Sequence, residues 1–385
     1  MSPATVHLRA GGVSVVVDAR GTGVPSILHW GADLGPLEDA ALTALAYALA
    51  PATPVGGFDD GVPLTLLPTA SEGWLGTPGL AGSSSVADGG AAASPAFLLT
   101  DLAAEPLPDG GHRLVCTSHD AAAHLRLRTT LELDVHGVLR LRHDLTRTDE
   151  APGDYALASL LVLLPLAAGA TELLDLTGRW ARERSPQRHE LTQGTWRREA
   201  RHGRTGHDAT LLLVAGTPGF GFRRGEVRGV HVAWSGRHVT LVEHQPTGAR
   251  TLGGGELLDP GEVVLAPGDT YTTPWLVASW SDVGLDGMSR RLHEHLRARP
   301  AHPRTPRPVT LNTWEAVYFD HDLDRLRALA DAAADLGVER FVLDDGWFGA
   351  RRDDTAGLGD WTPSPDVWPT GLAPIVEHVT GLGMQ

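Results

Sequence analysis

The sequence has no lysine and one cysteine. All 32 basic residues are therefore arginine, which excludes a lysine nucleophile or Schiff base within these residues. A single thiol, Cys116, cannot close an internal disulfide, so a reducing compartment is the simplest reading. Net charge is −15 and no basic cluster interrupts it, which makes nucleic acid a poor partner. The start, MSPATVHLRAGG, lacks the basic residues and apolar core of a secretion signal. The longest apolar stretch, Ala156 to Ala170, contains Pro165 and falls short of the ~20 residues a membrane helix needs. The expectation is a soluble, cytoplasmic protein with no membrane or nucleic-acid partner.

What is present divides near residue 300. A length of 385 residues gives room for two or three domains. Residues 1 to about 280 read as β. VHLRA and VSVVVD are short strand-like runs separated by Gly11 and Gly12. LRLRTTLELDV alternates, with Leu125, Leu127, Leu131, Leu133 and Val135 on one face and Arg126, Arg128 and Glu132 on the other. His136-Gly137 offers a turn, and VLRLRHDL alternates again. That pattern predicts a hairpin with one face on a core and one in water. Many short strands without intervening helices indicate a β-sandwich. The stretch 77–95, TPGLAGSSSVADGGAAASP, predicts a flexible surface loop.

After residue 281 the period changes. Leu285, Met288, Leu292 and Leu296 share a helical face, and Pro300 ends it. PAHPRTPRP is a stiff linker, so the expected domains are 1–300 and 301–385. VTLNTW (309–314) then predicts a strand. DLDRLRALADAAADLG predicts a helix with Leu323, Leu326, Ala330, Ala333 and Leu336 inward and Gly337 at its end. VERFVLDDG predicts a second strand. LAPIVEHVTGLG predicts a second helix with Leu372, Ile375, Val376 and Val379 inward, and a third strand would begin at Met384. Strand–helix–strand–helix means parallel strands, as in an open α/β sheet or a (β/α)8 barrel.

Asp344 and Asp345 stand at the carboxyl end of the second predicted strand, where both layouts put their active sites. Neighbouring strand residues point to opposite faces, so both reach one pocket only if the chain turns at once, as Gly346 allows. The plain alternative is that they cap a loop or pair with Arg351 and Arg352. Three chemical roles compete. A metal site would draw on Asp353 and Asp354, but no histidine lies close in sequence. A glycosidase acid–nucleophile pair must flank the scissile bond, which sequence neighbours seldom do. Recognition is the third role: two carboxylates accept hydrogen bonds from several hydroxyls, each contributing roughly 1.5–3 kcal/mol. Trp314, Trp347 and Trp361 favour a sugar, whose apolar C–H face packs on indole.

LNTWEAVYFD, GVERFVLDDGWFGARRDD, GLGDW and WPTGLAPIVEHVTGLGMQ resemble the first barrel segments of glycoside hydrolase family 36, the α-galactosidases. LHWGADLG (28–35), WARERSPQRHELTQG (180–194), HGRTGHD (202–208) and PGDTYTTPWLVASWSDVGLDGMSRRLHEHLR (267–297) resemble successive stretches of its N-terminal domain. The resemblance implies a β-supersandwich N-terminal domain followed by the first two β/α units of a (β/α)8 TIM barrel. It implies retaining hydrolysis of terminal α-galactosides such as melibiose and raffinose through a galactosyl-aspartate, without cofactor or metal, usually in homotetramers. Asp344 and Asp345 fall on adjacent aspartates that hold galactose hydroxyls, and Trp314 on a tryptophan lining that pocket. The family's nucleophile follows a Lys-Trp motif on a later strand and its acid/base lies later still. Neither motif occurs in these residues, so no catalytic residue is expected within them and the chain is expected to be an inactive N-terminal fragment. In many relatives an acidic residue from an N-terminal loop enters a neighbouring subunit's pocket. Here that stretch is divergent, with Asp59, Asp60 and Trp74 as candidates. The rival readings are an α-N-acetylgalactosaminidase or galactosyl-transferring relative, a non-catalytic carbohydrate-binding protein, and a metal-dependent barrel hydrolase.

Overall fold

The structure is a computed structural model and describes residues 5–51, 61–87, 89–210 and 212–385. It divides into two compact units, Met1–Pro300 and Ala301–Gln385.

The first unit is built of antiparallel sheets. Its long sheet runs in the order Arg182–Glu190, Glu172–Arg179, Leu212–Gly216, Val227–Val232, Leu276–Ser281, Val138–Arg147, Leu125–Leu133, His112–Asp120 and Leu98–Pro106, and Thr270–Thr272 also pairs with Val138–Arg147. A four-stranded sheet runs Val162–Pro165, Arg250–Glu256, His238–His244 and Gly194–Ala200. One apolar core contains Leu131, Leu141 and Leu213 from the long sheet and Val162, Val242 and Leu252 from the other, the signature of a sandwich. Cys116 lies in this core, and burial pushes its thiol up to about 12, so it stays protonated and inert.

The hairpin forms as the alternation predicts, with Leu125 opposite Arg147 and Leu133 opposite Leu139. Two details differ. Val135 sits in the turn and is 40% exposed. Glu132 is only 4% exposed, because Arg113 and Arg140 from the adjacent strands bring it positive charge under cover. Part of the stretch read as a flexible loop is regular structure. Leu80–Ser84 is a strand paired with Tyr155–Leu160. Its small residues are what the packing requires, since a Cβ on Gly82 would lie 2.4 Å from the Tyr155 ring. A helix, Asp39–Ala48, interrupts the region read as all β.

The helix Gly284–Ala298 buries Met288 and His295, while Leu296 is 43% exposed. His295 takes the inward place because its Nδ1 lies 2.7 Å from Asp134 Oδ2, a polar partner that periodicity does not reveal.

In the second unit, strands Thr310–Asn312 and Arg340–Val342 pair in parallel, with Leu311 opposite Phe341. The helix Leu323–Asp335 connects them. The Asp322 carboxylate caps it by accepting from the Arg325 amide, and Gly337 follows its end with φ +81°. Leu326, Ala330 and Ala333 are buried against Phe341, Ile375 and Val379, but Leu336 is 85% exposed. The helix Ala373–Gly381 turns Ile375 and Val379 inward and leaves Val376 53% exposed. Gln385 then lies beside the second strand: its amide donates to Glu339 O and its carbonyl accepts from the Phe341 amide.

Candidate functional site

Both parallel strands are shorter than predicted, and that shortening builds the site. The first ends at Asn312, and Trp314 opens a helical turn, Trp314–Val317, instead of continuing the strand. Asn312 causes the turn. Its Oδ1 accepts from the Trp314 amide at 2.8 Å, a local bond that competes with the strand ladder. The second strand ends at Val342, so Asp344 and Asp345 lie beyond it in a turn. Gly346 holds φ +101°, and a Cβ there would approach Phe319 to 3.1 Å.

The two strand ends are tied together. Asn312 Nδ2 donates to Asp344 Oδ2 at 2.6 Å. The Asp344 amide donates to Thr313 Oγ1 at 3.2 Å, and Thr313 is fully buried. The Asp345 amide donates to Asp344 Oδ1 at 2.7 Å. Asp344 is thereby aimed by its neighbours while each oxygen keeps a lone pair for a further donor. Asp345 accepts from Arg351 Nε at 2.8 Å on Oδ2. The plain pairing thus holds for one carboxylate: Asp345 pairs with Arg351, whereas Arg352 donates to the Gly346 and Gly349 carbonyls.

Aromatic residues follow both strand ends. Trp314 meets Tyr318 and Phe319 edge-on, with centroids at 5.2 and 5.1 Å. Trp361 lies 4.9 Å from Phe348 and 6.2 Å from Trp347 and is 63% exposed. Tyr318 and Trp361 both have positive φ, +47° and +52°, a costly backbone for aromatic residues. Burial of His321 beside this turn pushes its imidazole below the ordinary value.

Asn312, Thr313 and Phe319 were missed as site residues at the sequence level. Asn312 had a signal, since it is the only asparagine in the chain. Asp59 and Asp60 lie outside the described residues. Trp74 is 5% exposed, with its indole N–H donating to Thr77 O, so its ring is packed within the first unit. Among the described residues no group of three or more His, Cys, Asp and Glu is arranged to hold a metal. A hollow of about 550 Å³ in the sandwich is lined by Thr100, His119, His124, Arg126 and Glu150. Its opposed charges and lack of aromatic lining make it a poorer sugar site than the strand ends.

A sandwich, a parallel strand–helix–strand start, and carboxylates and a tryptophan at the two strand ends fit a carbohydrate-active class of protein. The comparisons make this particular. Residues 23–266 match the glycosyl hydrolase family 36 N-terminal domain and residues 270–385 match melibiase. The chain belongs to glycosyl hydrolase family 36. It is 40% identical over 363 residues to an α-galactosidase of Escherichia coli, covering 93% of this chain and 49% of that protein. It is 38% identical over 235 residues to α-galactosidase C of Emericella nidulans, covering 59% of this chain and 31% of that protein. The fold superposes on a variant of α-galactosidase AgaA from Geobacillus stearothermophilus, solved in complex with raffinose. The TM-score is 0.85 and the identity 25%, over 99% of this chain and 55% of that one. The matches thus cover between 31% and 55% of those proteins' own lengths.

Proposed function

We propose that these residues are the sandwich and the galactose-recognising barrel segment of a retaining α-galactosidase. Terminal α-galactosides of the raffinose and melibiose type would be its substrates. The observation that carries this reading is the Asp344–Asp345 pair, turned out beyond a parallel strand and braced by Asn312 and Arg351, with Trp314 on the neighbouring strand end. The relatives' names, and the raffinose bound to AgaA, support the substrate class. In this reading the segment is the first two β/α units of a (β/α)8 barrel, and the working enzyme is a cytoplasmic homo-oligomer.

Asp344 and Asp345 act as a clamp and not as the reacting pair. Retaining hydrolysis needs a nucleophile and an acid/base ~5–5.5 Å apart across the bond, and family resemblance puts both on later strands. The clamp fixes the sugar ring so that the anomeric carbon meets those groups in line. The 385 residues alone would not hydrolyse α-galactosides. In the full-length gene product, Asp344→Ala or Asp345→Ala should cost about 2–5 kcal/mol in kcat/KM, since hydroxyl contacts and orientation are lost together. Kinetics with p-nitrophenyl α-galactoside test this. Unchanged kcat/KM in either variant removes the clamp, and turnover by the purified 385 residues removes the placement of the reacting carboxylates.

A further inference from the structure

Asp345 Oδ1 is, among the described residues, the one buried carboxylate oxygen without a hydrogen-bond partner. The other oxygen, Oδ2, takes the Arg351 Nε–H at 2.8 Å. Both side chains are largely covered, Arg351 at 11% exposure and Asp345 at 14%. An acceptor left idle under cover is costly, so the arrangement needs a reason.

Arg351 is itself fixed on three sides. Its Nη1 donates to the Ala356 carbonyl. Its guanidinium carbon lies 5.5 Å from the centre of the Phe319 ring. Phe319 in turn meets Trp314 edge-on at 5.1 Å. The guanidinium therefore links the Asp345 carboxylate to the aromatic wall of the neighbouring strand end. A carboxylate held through one oxygen by a charge-assisted bond is restricted in its terminal torsion, and the second oxygen keeps a set direction. Arg352 differs. It ties the same loop through the Gly346 and Gly349 carbonyls and makes no bond to either carboxylate.

Resting on the clamp reading above, we infer that Arg351 is a positioning residue for sugar recognition: it holds the Asp345 carboxylate in the orientation that meets a substrate hydroxyl. Arg351 does not touch the sugar. Its effect passes through Asp345, and a lysine, which lacks the planar fork and the Nε–H, replaces it poorly.

A double-mutant cycle in the full-length gene product tests this, with p-nitrophenyl α-galactoside as substrate. Arg351→Gln should lower kcat/KM about 30- to 100-fold in the wild-type background and less than about 3-fold in the Asp345→Ala background, because residues acting as a unit are not additive. Arg351→Lys should recover less than about a tenth of the loss. Arg352→Ala serves as the loop control and should give the same factor in both backgrounds. A folded Arg351→Gln protein with wild-type kinetics overturns the inference. So does a loss of the same size with and without Asp345, which would make Arg351 a loop brace like Arg352. If Arg351→Gln does not fold, the Arg351→Lys cycle decides by the same criterion. These outcomes leave the clamp standing, provided that Asp345→Ala alone is impaired. An inactive wild-type protein, or an unimpaired Asp345→Ala, overturns the clamp and the inference with it.

Discussion

The buried carboxylates of the first unit have both oxygens engaged. Glu132 lies between Arg113 and Arg140, Asp175 pairs with Arg198, and Asp134 receives His295 as well as the His136 and Val138 amides. In the second unit, Asp345 accepts from Arg351 on one oxygen and from nothing on the other. Size explains part of this. Three hundred residues can surround a carboxylate with strands from several directions, whereas 85 residues leave Leu336 and Val376 in water. It does not explain all of it, because the idle oxygen is itself covered. A buried carboxylate whose oxygens are all engaged marks architecture. One with an oxygen left over, at the end of a parallel strand, is the carboxylate on which the clamp proposed above draws.

Dividing the chain gives the largest test of that contrast. A chain ending at Pro300 is expected to be soluble, to show a β-type far-UV spectrum and to melt cooperatively, because its core is shared among its own sheets. Residues 301–385 alone are expected to give no cooperative melt. Their core is a small cluster around Leu326, Phe341 and Ile375, and domains of this size usually need further support. An unfolded first piece beside a folded second one would reverse the comparison.

Core truncations sharpen it. Leu131 and Leu326 are both fully buried, one in each unit. Leu131→Ala should lower the stability of the sandwich transition by about 2–5 kcal/mol. Leu326→Ala should leave that transition in place and abolish only the helical signal of the second unit. Urea melts of the 385 residues, followed by far-UV signals of both kinds, read this. One shared transition shifted by both substitutions would show that the units do not melt separately.

Acid should weaken the sandwich through His143. Its side chain is fully buried, Nδ1 lies 2.9 Å from Thr129 Oγ1, and burial pushes its pKa down to about 4. The unfolded chain binds this proton near pH 6.5, so between pH 6.5 and 4 the unfolded state holds more protons than the folded one. Stability must then fall as pH drops through that window, by about 3 kcal/mol in total from this group. Replacing His143 by Gln should flatten that part of the profile. An unchanged slope would place the acid sensitivity in other groups.

Much of this contrast was legible in the sequence, for a physical reason. Alternating residues such as Leu125, Leu127 and Leu131 report burial directly, and so do Leu326, Ala330 and Ala333 at helical spacing. Asp344, Asp345 and Trp314 could be proposed because they fall at the ends of predicted parallel strands and on motifs that resemble the family's. What was not legible depends on partners distant in sequence. Glu132 reads as a solvent residue until Arg113 and Arg140 are beside it. His295 displaces Leu296 from the helix's inner face only because Asp134 waits there. Asn312 and Arg351 carry no periodicity, and their roles appear only when two strand ends meet.

The smallest expected effect comes from the outer surface of the second unit. Leu336 follows the same apolar spacing as Leu326, yet the two differ from 85% to 0% exposure. The helix ends at Asp335, so Leu336 is its C-cap and turns away from the cluster that holds Leu326. Leu336→Gln should therefore change the stability of the 385 residues by no more than about 0.5 kcal/mol, whereas Leu326→Ala abolishes the helical signal of the same unit. A loss above about 1 kcal/mol at Leu336 would mean that this side chain is covered in solution, since exposed positions seldom cost so much. Repeating the melt at tenfold lower protein concentration then identifies the cover. A stability that falls on dilution points to a second copy of the chain on that face, and one that does not points to a rearranged helix end within the unit.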